Sequence, residues 1–171
     1  MATADQIQNS FSGYPRTLMW SDFPVRATSP DPPHAAQTVS SFSMSHGSAA
    51  LGTDGWYRLT NVRVRVTLNT GAMWQARDWF DSARNQDQID LLEHEQGHFD
   101  IGKLCLKEFL TLYHNTTFHK KDMDATMKNI FYTTMHKYDE LGVQYDRETD
   151  HSQQKEAQQH WNTFFAKYIE Q

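Results

Sequence analysis

The segment that most constrains this chain is Leu91–Ile101, which contains the pattern His94-Glu95-Gln96-Gly97-His98. Apolar residues recur around this segment at helical spacing, which predicts a long amphipathic helix. These apolar residues are Ile89, Leu92, Phe99, Leu106, Leu110 and Tyr113. Residues four apart lie on one face of a helix, with Cβ atoms about 5–6 Å apart. The imidazoles of His94 and His98 are therefore predicted to reach one metal ion.

The metal ion predicted by this pattern is Zn²⁺, which takes histidine nitrogens at about 2.0–2.1 Å. Glu95 follows the first ligand and lies near the metal without having to bind it. It is predicted to take a proton from zinc-bound water, which is the general-base role in metalloproteases. The alternative is two surface histidines beside a solvated Glu95. Burying these three side chains on one helix without a metal or a partner is costly, which favours the metal site.

Length and composition predict a flexible polar arm over residues 1–17 and a single domain over residues 18–171. The net charge of -5 provides no basic stripe, so nucleic acid is not an expected partner. No apolar run approaches the roughly 18 residues that a membrane span needs. Cys105, the only cysteine, lies between two leucines and is predicted to be a small buried hydrophobe rather than a reactive thiol.

The pattern of apolar residues and turns predicts an α+β fold. A small antiparallel sheet is expected to pack on the long helix that holds the histidines, and two further helices follow. The predicted strands are residues 35–45, residues 56–68 and a short edge strand at 73–76. The predicted helices cover about 83–113 and 120–140, and a last helix follows residue 151. Gly142 is expected to end the second helix, which leaves residues 143–151 as an irregular connector.

A catalytic zinc ion needs three protein ligands and an open position for water. The connector supplies four acidic or imidazole side chains for the third ligand: Asp146, Glu148, Asp150 and His151. Asp90, four residues before His94, is either a hydrogen-bond partner of that imidazole or an ordinary exposed carboxylate. The remaining histidines, at positions 34, 46, 114, 119, 136 and 160, are predicted to be solvated or structural.

Four segments of the chain share a pattern with one known family. They are Trp20–Phe23, Ala35-Ala36-x-Thr38, Leu91–Ile101 and Tyr145-Asp146-x-x-Thr149-x-His151. Between residues 18 and about 162 the chain resembles an uncharacterised bacterial family of predicted secreted zinc-dependent proteases. The block His94–Ile101 is much more specific than the histidine-glutamate pattern alone. A glycine often follows the late histidine in this family, and Ser152 stands there in this chain.

The resemblance implies a zincin-like fold, in which a sheet edge binds extended peptide. It also implies a secreted or periplasmic location. Residues 1–5 contain no basic region followed by an apolar one, so we predict no signal peptide in this sequence and interpret it as the mature form.

His151 is the preferred third ligand, because imidazole suits zinc at least as well as carboxylate and His151 matches the late histidine of the family. Asp146 is the second choice. It also matches the family, and aspartate is the third ligand in one branch of the zincins. Tyr145 has two possible roles: its hydroxyl donates a hydrogen bond to the oxyanion of the reaction, or it is a buried packing residue.

The sequence therefore predicts a zinc-dependent peptidase whose substrate is a peptide or protein. The alternative function is a zinc-binding module without turnover, which would bind a protein or glycan through the strand around Arg63 and Arg65 and through exposed aromatic residues. The fourth position on the metal separates the two functions, since a catalytic site holds water there and a structural site holds a protein side chain.

Overall fold

The computed structural model describes residues 17–169, so all but the last residue of the predicted N-terminal arm lies outside the described residues. The fold is α+β, as predicted, with a short 3-10 helix (Trp20–Asp22) first, then the strands, then the α-helices. The strands are β1 (Val25–Arg26), β2 (Ala36–Gln37), β3 (Ser40–Ser45), β4 (Ala49–Leu51), β5 (Tyr57–Leu59), β6 (Arg63–Leu68) and β7 (Trp74–Ala76). The helices are α1 (Arg77–Ser82), α2 (Asn85–Asn115), α3 (Met123–Thr149) and α4 (Lys155–Ile169).

The strands form three small sheets, in the orders β1-β7-β2, β3-β6 and β4-β5. All the pairs are antiparallel except β1 with β7. The prediction of β7 as an edge strand is wrong, because it lies between β1 and β2 and pairs with both. The predicted strand at 56–68 is two strands, β5 and β6. They separate at Asn61, whose φ of 51° is left-handed, a conformation that asparagine tolerates better than most residues.

The main core lies between α2 and the sheet of β3 and β6. Val64 and Val66 of β6 are buried against Phe99, Leu106 and other apolar residues of α2. Four of the six residues in the predicted apolar stripe are buried, whereas Leu92 is partly buried and Ile89 is 51% exposed. Cys105 is fully buried, which confirms its predicted place in the core.

α3 continues through Gly142 to Thr149, so the predicted end of this helix and the irregular connector are both wrong. Tyr145 explains why the helix continues. This side chain is fully buried and packs in one cluster with Ile101 of α2 and Trp161 of α4. Burial of a large aromatic side chain contributes more free energy than one glycine in a helix costs, which is about 1 kcal/mol.

α3 ends instead at three consecutive left-handed residues. Asp150, His151 and Ser152 have φ values of 47°, 48° and 83°. These residues turn the chain from α3 into α4. No helix within residues 17–169 combines the length and the apolar character needed to cross a membrane.

Candidate metal centre

Three metal-ligating side chains meet between α2 and α3. Nε2 of His94 and Nε2 of His98 lie 3.1 Å and 2.8 Å from Oδ1 of Asp146. The ligand atoms of the three residues all lie within 4.8 Å of one another. The two histidines converge because they are four residues apart on α2, as the sequence predicted. Asp146 joins them because α3 is still helical there and presents this position to α2.

His151 lies beside this cluster. Its Nδ1 is 3.6 Å from Oδ1 of Asp146, and its ring makes an edge contact with His34 at a centroid distance of 4.5 Å. Glu148 accepts a hydrogen bond from Nε1 of Trp161 at 2.9 Å. Among the four residues considered for the third ligand, Asp146 is therefore the one whose ligand atom groups with both histidines.

Thr149 fixes the orientation of the His94 ring. Its Oγ1 lies 2.7 Å from the carbonyl oxygen of Tyr145 and 3.2 Å from Nδ1 of His94. Because the hydroxyl proton is donated to the carbonyl, the oxygen accepts a hydrogen bond from Nδ1–H of His94. Nε2 is then the ring nitrogen of His94 that faces Asp146 and is available to a metal ion.

Thr149 was not among the side chains predicted to form the site. It lies three residues after Asp146, so a continuous helix would have placed both on one face. The possible role of Asp90 as the hydrogen-bond partner of His94 is not what the structure shows. Asp90 forms an ion pair with Lys155 and accepts a hydrogen bond from Gln86.

Tyr145 packs beneath the cluster. Its ring stacks on that of His94 at a centroid distance of 4.6 Å and an angle of 11°. Its hydroxyl lies 3.0 Å from the carbonyl oxygen of His94 and accepts a hydrogen bond from Nε2 of Gln158 at 2.8 Å. Burial raises the pKa of the phenol. This placement favours the packing role that the sequence offered for Tyr145 over the oxyanion role.

Glu95 is 3% exposed, and its Oε2 has no hydrogen-bond partner among the described residues. A buried carboxylate oxygen without a partner is costly in free energy. Glu95 lines the same cavity as the three clustered side chains. Its unpaired oxygen is therefore suited to accept a hydrogen bond from a water molecule or a ligand in that cavity.

Burial, hydrogen bonds and charges within the site shift the pKa values of Asp146, His98 and His151. Burial raises the pKa of Asp146, but hydrogen bonds from His94 and His98 outweigh this effect and hold that pKa below its usual range. Burial lowers the pKa of His98, whereas the hydrogen bond to Asp146 and the charge of Glu95 raise it above its ordinary value. The pKa of His151 is lowered, chiefly by burial.

The cluster lies in a cavity of about 680 Å³. Residues of α2, of α3 and of the segment Ala35–Ser40, which includes β2, line it. β2 is an edge of its sheet, since β7 pairs with it on one side. The cavity thus joins a strand edge to the three side chains that can hold a metal.

The family model described as "Bacterial protein of unknown function (DUF922)" matches residues 16–152. The chain belongs to this family. The matched residues of this DUF922 protein include His94, Glu95, His98, Asp146, Thr149 and His151. The family description assigns no activity. No curated protein and no solved structure matches the chain.

Proposed function

We propose that this DUF922 protein is a zinc-dependent peptidase. In this proposal His94, His98 and Asp146 hold the metal, and Glu95 is the general base. One observation carries the proposal: three ligand atoms from two helices lie within 4.8 Å of one another, beside a buried glutamate with an unpaired oxygen. The proposal keeps the secreted or periplasmic location that the family resemblance implies.

The donor atoms fit a cation. Because Nδ1 of His94 is engaged by Thr149, Nε2 is the nitrogen available to a cation, and it lies 3.1 Å from a carboxylate oxygen of Asp146. Two acceptors at this distance repel each other unless a proton or a metal ion lies between them. Two imidazoles with one carboxylate form a donor set that zinc takes in catalytic sites, where a fourth position stays open.

A bound zinc ion would lower the pKa of a water ligand toward about 7 and would polarise the carbonyl of a peptide. The protein supplies the remaining functions. Glu95 accepts the proton of the attacking water through its unpaired oxygen and can return it to the leaving amine. The buried surroundings of Glu95 strengthen this interaction, because the local dielectric constant is lower than in water.

The cavity fits an extended peptide as substrate. The edge of β2 offers backbone groups to a peptide that adds to it as a further strand. α2 and α3 also line the cavity and would contact the side chains of that peptide. The scissile bond would then lie between the strand edge and the cluster.

The first test is zinc content followed by peptide cleavage. We expect one zinc per chain and cleavage of a peptide library derived from denatured proteins, detected by mass spectrometry. Glu95→Gln should keep the zinc and lower cleavage by about 100-fold or more, the usual contribution of a general base. The matched control is Glu93→Gln, which changes an exposed glutamate of the same helix that accepts a hydrogen bond from Asn162. Protein that takes up no zinc would contradict the proposal.

The position of His151 is the reason to test the second function, a zinc-binding module without turnover. His151 is the side chain that could occupy a fourth position, since its Nδ1 is 3.6 Å from Oδ1 of Asp146. A site closed by His151 would be structural, and the protein would then be a zinc-stabilised binding module. In that case zinc affinity would fall strongly in His151→Ala, and the zinc-loaded wild type would leave the library intact.

A further inference from the structure

Gly142 of α3 differs from the two glycines of α2 in its surroundings. A Cβ atom on Gly97 would collide with the hydroxyl of Tyr145, and one on Gly102 would come to 2.9 Å from Oγ of Ser40. Packing within the protein therefore requires glycine at both positions of α2. A Cβ atom on Gly142 would meet no atom within 4 Å.

A glycine inside a helix is unfavourable compared with alanine, because glycine loses more backbone freedom on folding. Gly142 lies in the interior of α3, seven residues before its end at Thr149. Packing within the protein does not require glycine at position 142, so the presence of a glycine there needs another explanation. Gly142 lines the cavity of the candidate metal centre, and so do Tyr138 and Asp146, one turn before it and one turn after it.

The cavity continues past Gly142 into an apolar end. The apolar side chains that line this end are Phe42, Ile101, Cys105, Met135 and Tyr138, and the carboxylate residue Asp139 lines the cavity beside Tyr138. Sγ of Cys105 and Sδ of Met135 are 4.0 Å apart, which shows that α2 and α3 are close together there. From Asp146 to Met135 the helix rises about 16 Å, at 1.5 Å per residue. An extended peptide covers that distance in about five residues.

We propose that Gly142 keeps the cavity open beside the metal centre, and that the apolar end beyond it receives a large apolar side chain of the peptide substrate. This inference rests on the proposed peptidase function and adds a substrate preference to it. The apolar end belongs to the same cavity as the cluster, and Tyr138, where it begins on α3, is about two helical turns from Asp146. A leucine or phenylalanine side chain would lose its contact with water there, whereas an aspartate would lose its hydration without a partner.

The test measures binding separately from cleavage. The probes are fluorescein-labelled peptides of eight residues, built from Gly and Ser with one central Leu, Phe, Ala or Asp. Their Kd values are measured by fluorescence anisotropy on zinc-loaded Glu95→Gln protein. We expect the Leu and Phe peptides to bind at least tenfold more tightly than the Ala and Asp peptides.

Gly142→Leu in the same background should bring the four Kd values to within about twofold of one another. Gly142→Ala and Gly142→Leu should also raise the Tm, by about 2–4 °C for Ala in a chain of this size. A merely structural glycine would not give higher stability together with weaker selective binding. The matched control is Thr133→Ala, on the exposed side of α3, which should leave all four Kd values unchanged.

The outcomes separate this inference from the peptidase proposal. Equal Kd values for the four peptides, no measurable binding of any of them, or an unchanged preference in Gly142→Leu would overturn the inference. Preferential binding of Leu and Phe by a protein that cleaves no peptide would support the inference and contradict the peptidase proposal. Cleavage that is insensitive to Gly142→Leu and to the central residue would support the peptidase proposal and overturn the inference.

Discussion

Oδ1 of Asp146 lies 2.8 Å from Nε2 of His98, across the contact between α3 and α2. The same oxygen lies 3.1 Å from Nε2 of His94. One carboxylate oxygen thus faces two imidazole nitrogens, and a positively charged species between them would satisfy all three. This relationship makes Asp146 rather than His151 the third ligand in our proposal, although the sequence analysis preferred His151.

Asp146→Asn should lower zinc affinity by several orders of magnitude, because it removes a charged ligand from the cluster. His151→Ala should lower it by about 10–100-fold at most, the usual loss for a residue beside the ligands. Both affinities can be measured by competition with a fluorescent zinc chelator. A larger loss in His151→Ala than in Asp146→Asn would return the third-ligand position to His151.

Thr149→Val should lower zinc affinity by about 10–100-fold, the usual effect of removing the hydrogen-bond partner of a metal-binding histidine. The change leaves Nδ1 of His94 without its partner while nearly keeping the volume of the side chain. Thr163→Val is the control, because the hydroxyl of Thr163 also bonds to the carbonyl four residues earlier, on an exposed face. Equal zinc affinities for the two variants would contradict the role of Thr149.

Ser152→Gly should stabilise the protein by about 1 kcal/mol, which corresponds to a rise in Tm of about 2–4 °C. Ser152 has a φ of 83°, a conformation that favours glycine. Ser152→Ala is the control, since alanine keeps the Cβ atom and therefore the strain. Differential scanning calorimetry measures both Tm values, and a gain of equal size in the two variants would show that the backbone conformation is not the cause.

The stability of the apoprotein should depend on pH through the pair of His98 and Asp146. The pKa of His98 is raised in the folded state, so its contribution to stability is fully present below its unfolded pKa of about 6.5. That contribution is lost as the pH rises through the raised pKa. The pKa of Asp146 is lowered, so its contribution is present above about 3.9 and is lost in acid.

Urea unfolding of chelator-treated protein tests this dependence. Asp146→Asn should lower the free energy of unfolding more at pH 5.5 than at pH 8.5, because more of the His98 side chain is charged at the lower pH. An effect of the same size at both pH values would contradict the pairing.

The positions of His94, Glu95 and His98 could be predicted from sequence, because the spacing of residues on a helix is regular and the apolar stripe located the helix. The choice of Asp146 could not be predicted from local signals. It depends on α3 continuing through Gly142, and the burial of Tyr145 between α2 and α4 decides that. Gly142 was a local signal for a helix end that tertiary packing overrides. The break at Asn61 was missed for a related reason, since the apolar alternation resumes directly after it in β6.

The measurement that tests the central claim most directly is a crystal structure of the zinc-loaded protein with anomalous data at the zinc absorption edge. We expect one peak between α2 and α3, bound by Nε2 of His94, Nε2 of His98 and a carboxylate oxygen of Asp146. A water molecule within reach of Glu95 should occupy the fourth position. Absence of a peak at this cluster, or a fourth position filled by His151, would contradict the proposed catalytic site.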